Sequence, residues 1–481
     1  MSSASAEAPT GPAVEPVAAG EFEREPVPER ARLGFRSFVG MYAGEHCAGT
    51  ELMIGPLFVA SGVSAFDLVV GLLVGNALAV LSWLVVTAPI ATRVRLTLYR
   101  QLERICGRRL VTLYNLANGV MFCFLAGSMI TVSATAVGVL FGFPMPALGD
   151  AYPTGLGWVL AVLAVGGLIT VVAAFGYRSV ARFANLAAPW MVLVFVAFGL
   201  VGLSEFLRTT GSEVGSPGEL WRLAETAIWT GGDPLPGQVK FGFWHVVFFA
   251  WFCNGAMHLG MSDLSVLRFA RRSWHGLASG AGMYVGHFLA WLAASILYAL
   301  QLHRDPANTD VLPGPMAWQA CGVAGLLCVV VAGWTTANPT IYRAGLAFQA
   351  IVPRSPRFTV TLFTGAVATV AGLFPAIAMR LLGFVALYGL VLVPMGAVVF
   401  ADFWLLPRLG LRSWWAERRG LRVHPAAGLA WGGSLAAALL AVRFGGLPIY
   451  FAALPAWFLA ILLYVVASAV VQRRAGEEAA G

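Results

Sequence analysis

Charge is what this 481-residue chain has least of. Asp, Glu, Lys and Arg make up 11% of it and hydrophobic residues 59%, where a soluble globular domain carries about 25% charge. That composition excludes a water-soluble globule. The short alternating segments of a transmembrane barrel are also missing; the apolar runs are continuous over roughly twenty residues, the length of a membrane-crossing helix. The six cysteines, Cys47, Cys106, Cys123, Cys253, Cys321 and Cys328, stand singly with no CxxC pair, which suits packing rather than disulfides or metal ligation. No HExxH, Walker or dinucleotide-binding glycine motif is present, no Ser-His-Asp set follows from spacing, and nothing calls for a cofactor. The first 32 residues lack a basic start followed by an apolar core, so 1–32 read as a disordered tail rather than a signal peptide.

What is there is an all-α polytopic membrane protein. Apolar runs at 34–62, 66–90, 111–142, 157–176, 180–204, 241–267, 278–301, 317–347, 358–376, 381–405, 426–443 and 448–471 predict about twelve transmembrane helices, numbered here as spans 1 to 12. Basic residues of short loops collect on the cytoplasmic side. With the N-terminus inside, only Arg208, Arg222, Lys240, Arg304, Arg380 and Arg443 of the 31 basic residues fall outside. Both termini are then expected in the cytoplasm of a cell whose inner membrane holds the chain. The net charge of +8 reports topology, and nucleic acid is not needed to explain it. The basic connector at 93–109 reads either as an interfacial helix or as a solvated loop. A long external segment, 205–240, separates a first repeat at 33–204 from a second at 241–405, with 406–481 adding two helices and a C-terminal tail. Five spans plus five is the pattern of an inverted repeat, in which span 1 answers span 6.

Span 1 carries Glu45, His46 and Glu51 in its middle third, close to the bilayer midplane, where carboxylates are costly and face a protein interior or a water path. The small residues Gly40, Ala43, Gly44, Ala48 and Gly49 around them favour an interrupted helix. Span 6 is again small and polar at Cys253-Asn254-Gly255. His46, Thr50, Glu51 and Leu52 share their spacing with His258, Ser262, Asp263 and Leu264, a local echo of an inverted repeat. In span 8, Thr335 and Thr336 precede Asn338 and Pro339. Their hydroxyls are either ligands for a weakly held sodium or back-bonds to their own helix carbonyls at a proline kink.

The span 8 run GWTTANPTIYRAGL, the basic exit RFARRSW after span 6 and ALYGLVLVPMGAVVFADFWLLPR through the end of span 10 resemble the nucleobase-cation symporter family one, the purine and cytosine permease group. That family lies within the amino acid-polyamine-organocation superfamily, whose LeuT-like fold is a five-plus-five inverted repeat with spans 1 and 6 broken. The resemblance implies sodium held by Thr335 and Thr336 together with span 1 carbonyls near Gly44. It implies a substrate between spans 1, 3, 6 and 8, stacked on aromatics and bonded by amides, at Phe122, Phe124, Trp251, Asn254, Trp334 and Asn338. The chain departs from the family at Asp263, five residues before Arg268, and in the charge of Glu45, His46 and Glu51, which are candidate substrate residues.

The reading is a secondary active transporter, not an enzyme, importing a nucleobase or related small nitrogenous heterocycle with sodium. The alternative is a proton-coupled symporter of an amine, an amino acid or a pyrimidine-like vitamin precursor, with Glu45 or Glu51 titrating beside His46. A membrane-embedded enzyme using the same Glu and His groups is a remote third. The partners expected are a small-molecule substrate and the lipid bilayer.

Overall fold

Runs that are apolar on every face cannot leave backbone N–H and C=O groups unpaired in hydrocarbon, and the helix satisfies them within one segment. The computed structural model describes residues 21–146 and 149–477, the side chains of 378, 379, 381, 382, 476 and 477 excepted, and among these residues there is no β-strand. Helix occupies each of the twelve expected stretches. Among the described residues, nine helices are long and apolar enough to cross a membrane: Ala65–Val94, Arg108–Phe141, Gly155–Ala174, Tyr177–Thr210, Ser273–Arg304, Pro313–Ile351, Gly383–Leu405, Pro425–Gly445 and Ile449–Ala475. The other three stretches hold shorter apolar helices, Glu51–Ala60, Phe243–Phe252 and Arg357–Gly372. Large apolar side chains such as Leu160, Leu186, Leu193 and Phe363 point outward, as a lipid-facing surface requires.

Spans 1 and 6 are broken as expected. Span 1 runs as Arg36–His46, leaves the helix over 47–50, and resumes as Glu51–Ala60. At the break a Cβ on Gly49 would stand 3.0 Å from Val132 Cγ1 and 3.2 Å from the Val329 carbonyl oxygen, so the bare glycine permits the approach to spans 3 and 8. Span 6 ends its first helix at Phe252, makes one turn over Gly255–His258, bends at Met261 with φ 60°, and makes a last turn over Leu264–Leu267. Spans 2, 7 and 10 contain π-helical segments at Trp83–Thr87, Ala281–Phe288 and Ala401–Leu405.

Two expectations need correction. The expected tail at 1–32 is packed from residue 21 onward; residues 1–20 lie outside the described residues. Val27 is fully buried and its N–H donates to the Arg95 carbonyl at 3.0 Å. Arg268 donates to the Phe22 and Glu21 carbonyls at 2.6 and 2.9 Å. The second correction concerns Arg343 and Arg268, which the charge count placed in loops; both are fully buried. The connector after span 2 is a helix, Leu98–Cys106, whose Glu103 pairs with Arg24 of the N-terminal segment. Arg104 of the same helix pairs with Glu417 near the C-terminal spans, so both chain ends gather on one face.

Candidate functional site

The first helix of span 1 ends with its last carbonyls lacking intrahelical partners, a partial negative charge fixed by the backbone. Span 8 presents its threonines to these oxygens. Thr335 Oγ1 donates to Gly44 O at 2.7 Å, Thr336 Oγ1 lies 3.0 Å from Glu45 O, and both hydroxyls lie within 3.0 Å of Ala332 O. The threonines back-bond to their own helix, as one reading expected, and also bond the span 1 carbonyls. Five uncharged oxygens converge on one spot, a donor set that suits a hard monovalent cation.

Beside it lies a cavity of about 60 Å3 lined by Glu45, His46, Thr50, Glu51, Asn254, His287, Thr336, Thr340 and Tyr388 among others. Four of the nine expected substrate residues, Glu45, His46, Glu51 and Asn254, are on its wall. The remaining five are elsewhere. Phe122 is fully buried with its ring edge-on to Tyr388 at 5.0 Å. Phe124 is 39% exposed on the outer surface, against Phe384. Trp251 donates to Ser82 Oγ at 3.0 Å on the side toward span 2. Trp334 stacks on Phe183 at 4.4 Å, and the Asn338 amide, oriented to suit its neighbours, accepts from Trp334 Nε1 at 3.0 Å and donates to Ile169 O at 2.8 Å. These two bind span 8 to spans 4 and 5 and leave the cavity to other groups.

The residue the sequence reading missed is Arg343, two helical turns beyond the threonines on span 8. Its guanidinium bonds Glu45 at 2.5 and 3.2 Å and Asp263 at 2.6 Å, so one cation ties span 8 to both broken spans. The second oxygen of Asp263 accepts from the Tyr42 hydroxyl at 2.8 Å and from Trp83 Nε1 at 2.7 Å. Asp263, whose spacing to Arg268 looked irregular, thus has its partner on another span. On the other side of the span 1 break, Glu51 accepts from Trp291 Nε1 and lies 3.7 Å from His287 Nε2. The rings of His287 and His46 are 4.7 Å apart. His46 Nδ1 donates to the Tyr42 carbonyl at 2.8 Å, which aims its ring across span 7. The local echo has a structural counterpart: Glu51 opens the second helix of span 1, and Asp263 precedes the last turn of span 6.

No protein-family model matches the chain, and no curated protein sequence matches it. Solved structures do. A nucleobase-cation-symport-1 family transporter, Mhp1, in a closed conformation with bromovinylhydantoin bound, is 17% identical with a TM-score of 0.66 over 94% of this chain and 96% of its own. A substrate-bound, outward-open Na+-coupled sialic acid symporter is 15% identical with a TM-score of 0.62, covering 95% and 92%. MhsT in complex with L-phenylalanine is 15% identical with a TM-score of 0.56, covering 89% and 98%. The likeness runs over nearly the whole chain at an identity that speaks for architecture: the protein has the LeuT-like five-plus-five fold of these secondary transporters.

Proposed function

We propose that the protein is a sodium-coupled symporter of a small nitrogenous heterocycle, a nucleobase or a relative of one, working by alternating access. The single observation that carries this reading is the convergence of Thr335, Thr336 and the Gly44, Glu45 and Ala332 carbonyls at the span 1 break, beside a cavity between the broken spans. Sodium there would add to the Arg343–Glu45 pair a further tie between span 8 and span 1, present only while the ion is bound. That supplies a coupling device. The Na+-coupled sialic acid symporter and the nucleobase-cation-symport-1 transporter share the fold and support the assignment of reaction class. Spans 1, 2, 6 and 7 rock against spans 3, 4, 8 and 9, and the face that gathers both chain ends is the cytoplasmic one, in keeping with its arginines.

The test is uptake into proteoliposomes at fixed pH with sodium replaced by choline. Uptake should collapse in choline, and Thr335→Ala with Thr336→Ala should raise the sodium concentration for half-maximal uptake by about tenfold or more. Unchanged uptake in choline would overturn the reading and favour the proton-coupled alternative, for which the observation is Glu51, a carboxylate with no Lys or Arg nitrogen of the described residues within 4.0 Å.

A further inference from the structure

The charges around the cavity do not balance. Three carboxylates, Glu45, Glu51 and Asp263, face one guanidinium, Arg343. Arg343 is shared between Glu45 and Asp263, which leaves that network one negative charge in excess. The oxygens meeting at Gly44, Glu45, Thr335 and Thr336 lie next to it on the same two spans, and a sodium ion among them would cancel the excess. Glu51 is a separate case. It stands across the span 1 break from that network, with an indole N–H from Trp291 and the neutral-or-charged ring of His287 as its near polar neighbours. The other titratable groups facing it are the thiols of Cys47 and Cys253, with His46 behind His287. A buried carboxylate with no cation costs several kcal/mol, so Glu51 either holds a proton or pairs with a cationic ligand on this side of the cavity.

The same wall holds polar groups with no bond to make within the protein. His287 Nδ1, on a side chain that is 3% exposed, and the Asn254 amide nitrogen are unpartnered. The amide nitrogen is a donor and the ring nitrogen a donor or an acceptor, so a protonated aminoheterocycle, which carries both kinds of group, can meet both. Among the described residues no three His, Cys, Asp or Glu side chains converge as metal ligands, and a divalent metal does not fit this wall.

We propose that Glu51 is the counter-ion for a monocationic organic substrate, an amidinium or a protonated aminoheterocycle whose N–H groups bond its carboxylate, loaded beside one sodium ion. The proposal rests on the transport reading above and narrows its substrate class. The two cations cancel different buried charges.

The experiment measures binding to the purified full chain by calorimetry, with benzamidinium against its neutral isostere benzamide and acetamidinium against acetamide, in sodium and in choline. In sodium, one amidinium at least should bind about tenfold tighter than its amide, as a desolvated charge pair implies. Glu51→Gln should bring that ratio to about one, while a sodium-dependent rise in melting temperature persists and shows the variant folded. Glu51→Asp should restore the preference. Equal binding of cation and isostere in the wild type, no amidinium binding at all, or an undiminished preference in Glu51→Gln would each overturn the proposal. So would benzamide binding accompanied by proton uptake, read from buffers of different ionisation heat, because a proton would then fill the role given to the substrate. A cation preference that survives in choline with no sodium effect on melting would instead sink the sodium reading and leave the Glu51 assignment standing.

Discussion

Arg343 is the residue on which the inner half of the site depends. It is held by two carboxylates on two other spans, and removing it leaves both of them buried without a cation. We expect Arg343→Met to destabilise the protein by about 3–5 kcal/mol, read as a lower melting temperature in detergent, and adding Glu45→Gln and Asp263→Asn to recover part of the loss. His424, which precedes the span 11 helix, offers a pH-dependent test outside the membrane segments. Its N–H donates to Cys106 O at 2.8 Å and its ring Nδ1 to Ile105 O at 3.2 Å. Burial pushes its pKa down from 6.5 to about 4, with the Ile105 bond opposing. The unfolded chain then binds the proton more readily, so the stability from neutral His424 is present above pH 6.5 and lost as pH falls toward 4, by up to about 3 kcal/mol. Thermal unfolding followed from pH 7.5 to 4.5 should show that slope in the wild type and a shallower one in His424→Gln. At this scale the sequence disclosed what chemistry makes conspicuous. Glu45, His46 and Glu51 stood out as charge in an apolar run, and the threonine pair stood out as adjacent hydroxyls. Phe124 and Trp334 did not declare themselves, because a helix apolar on every face gives no sign of which side meets protein and which meets lipid. Arg343 was misread because loop-charge counting assigns an arginine near the end of a run to the loop.

The broken and distorted helices position those residues. The break in span 1 was legible from its glycines and alanines, and the break in span 6 from Asn254-Gly255. The π-helical segments of spans 2 and 7 were not legible, since an i to i+5 turn leaves no signature in side-chain periodicity. They matter here because Trp83 and His287 sit in them and reach the site from those turns. Span 7 passes span 1 through glycines. A Cβ on Gly286 would stand 2.7 Å from the His46 backbone carbon, and one on Gly282 would stand 2.6 Å from His46 Nδ1. Gly286→Val should therefore push spans 1 and 7 apart, at about 1–3 kcal/mol, and displace His46 from His287. The check is a lowered melting temperature together with weakened substrate-analogue binding; a variant that melts and binds as the wild type does would show that the two spans have room to spare.

At the level of the whole molecule, residues 21–33 form a strap across the face that gathers the chain ends. It bonds Arg95 and Thr97 after span 2 and Arg268 and Phe269 at the end of span 6, and its Glu21 and Glu23 carboxylates reach Arg357 at the start of span 9. Burial raises the Glu21 carboxyl from its ordinary 4.5, with Arg357 and Arg268 opposing. Spans 2 and 6 belong to the half proposed to rock and span 9 to the half proposed to stay, so the strap joins both. Arg357→Ala should loosen it, and cleavage by trypsin after Arg24 and Arg30 should run several-fold faster than in the wild type, with cleavage elsewhere unchanged. The sequence missed the strap because Ala, Pro and Glu in series read as solvated chain, and the carbonyls of Glu21 and Phe22, which help to dock it, carry no side-chain signal.

On the proposed transport cycle, that strap would also set a tempo. Each 1.4 kcal/mol by which it favours the closed face leaves about tenfold fewer molecules open at any instant. On that cycle, chain far from the cavity would govern how often the face opens, and anything that peels residues 21–33 away would raise the open fraction by the same factor.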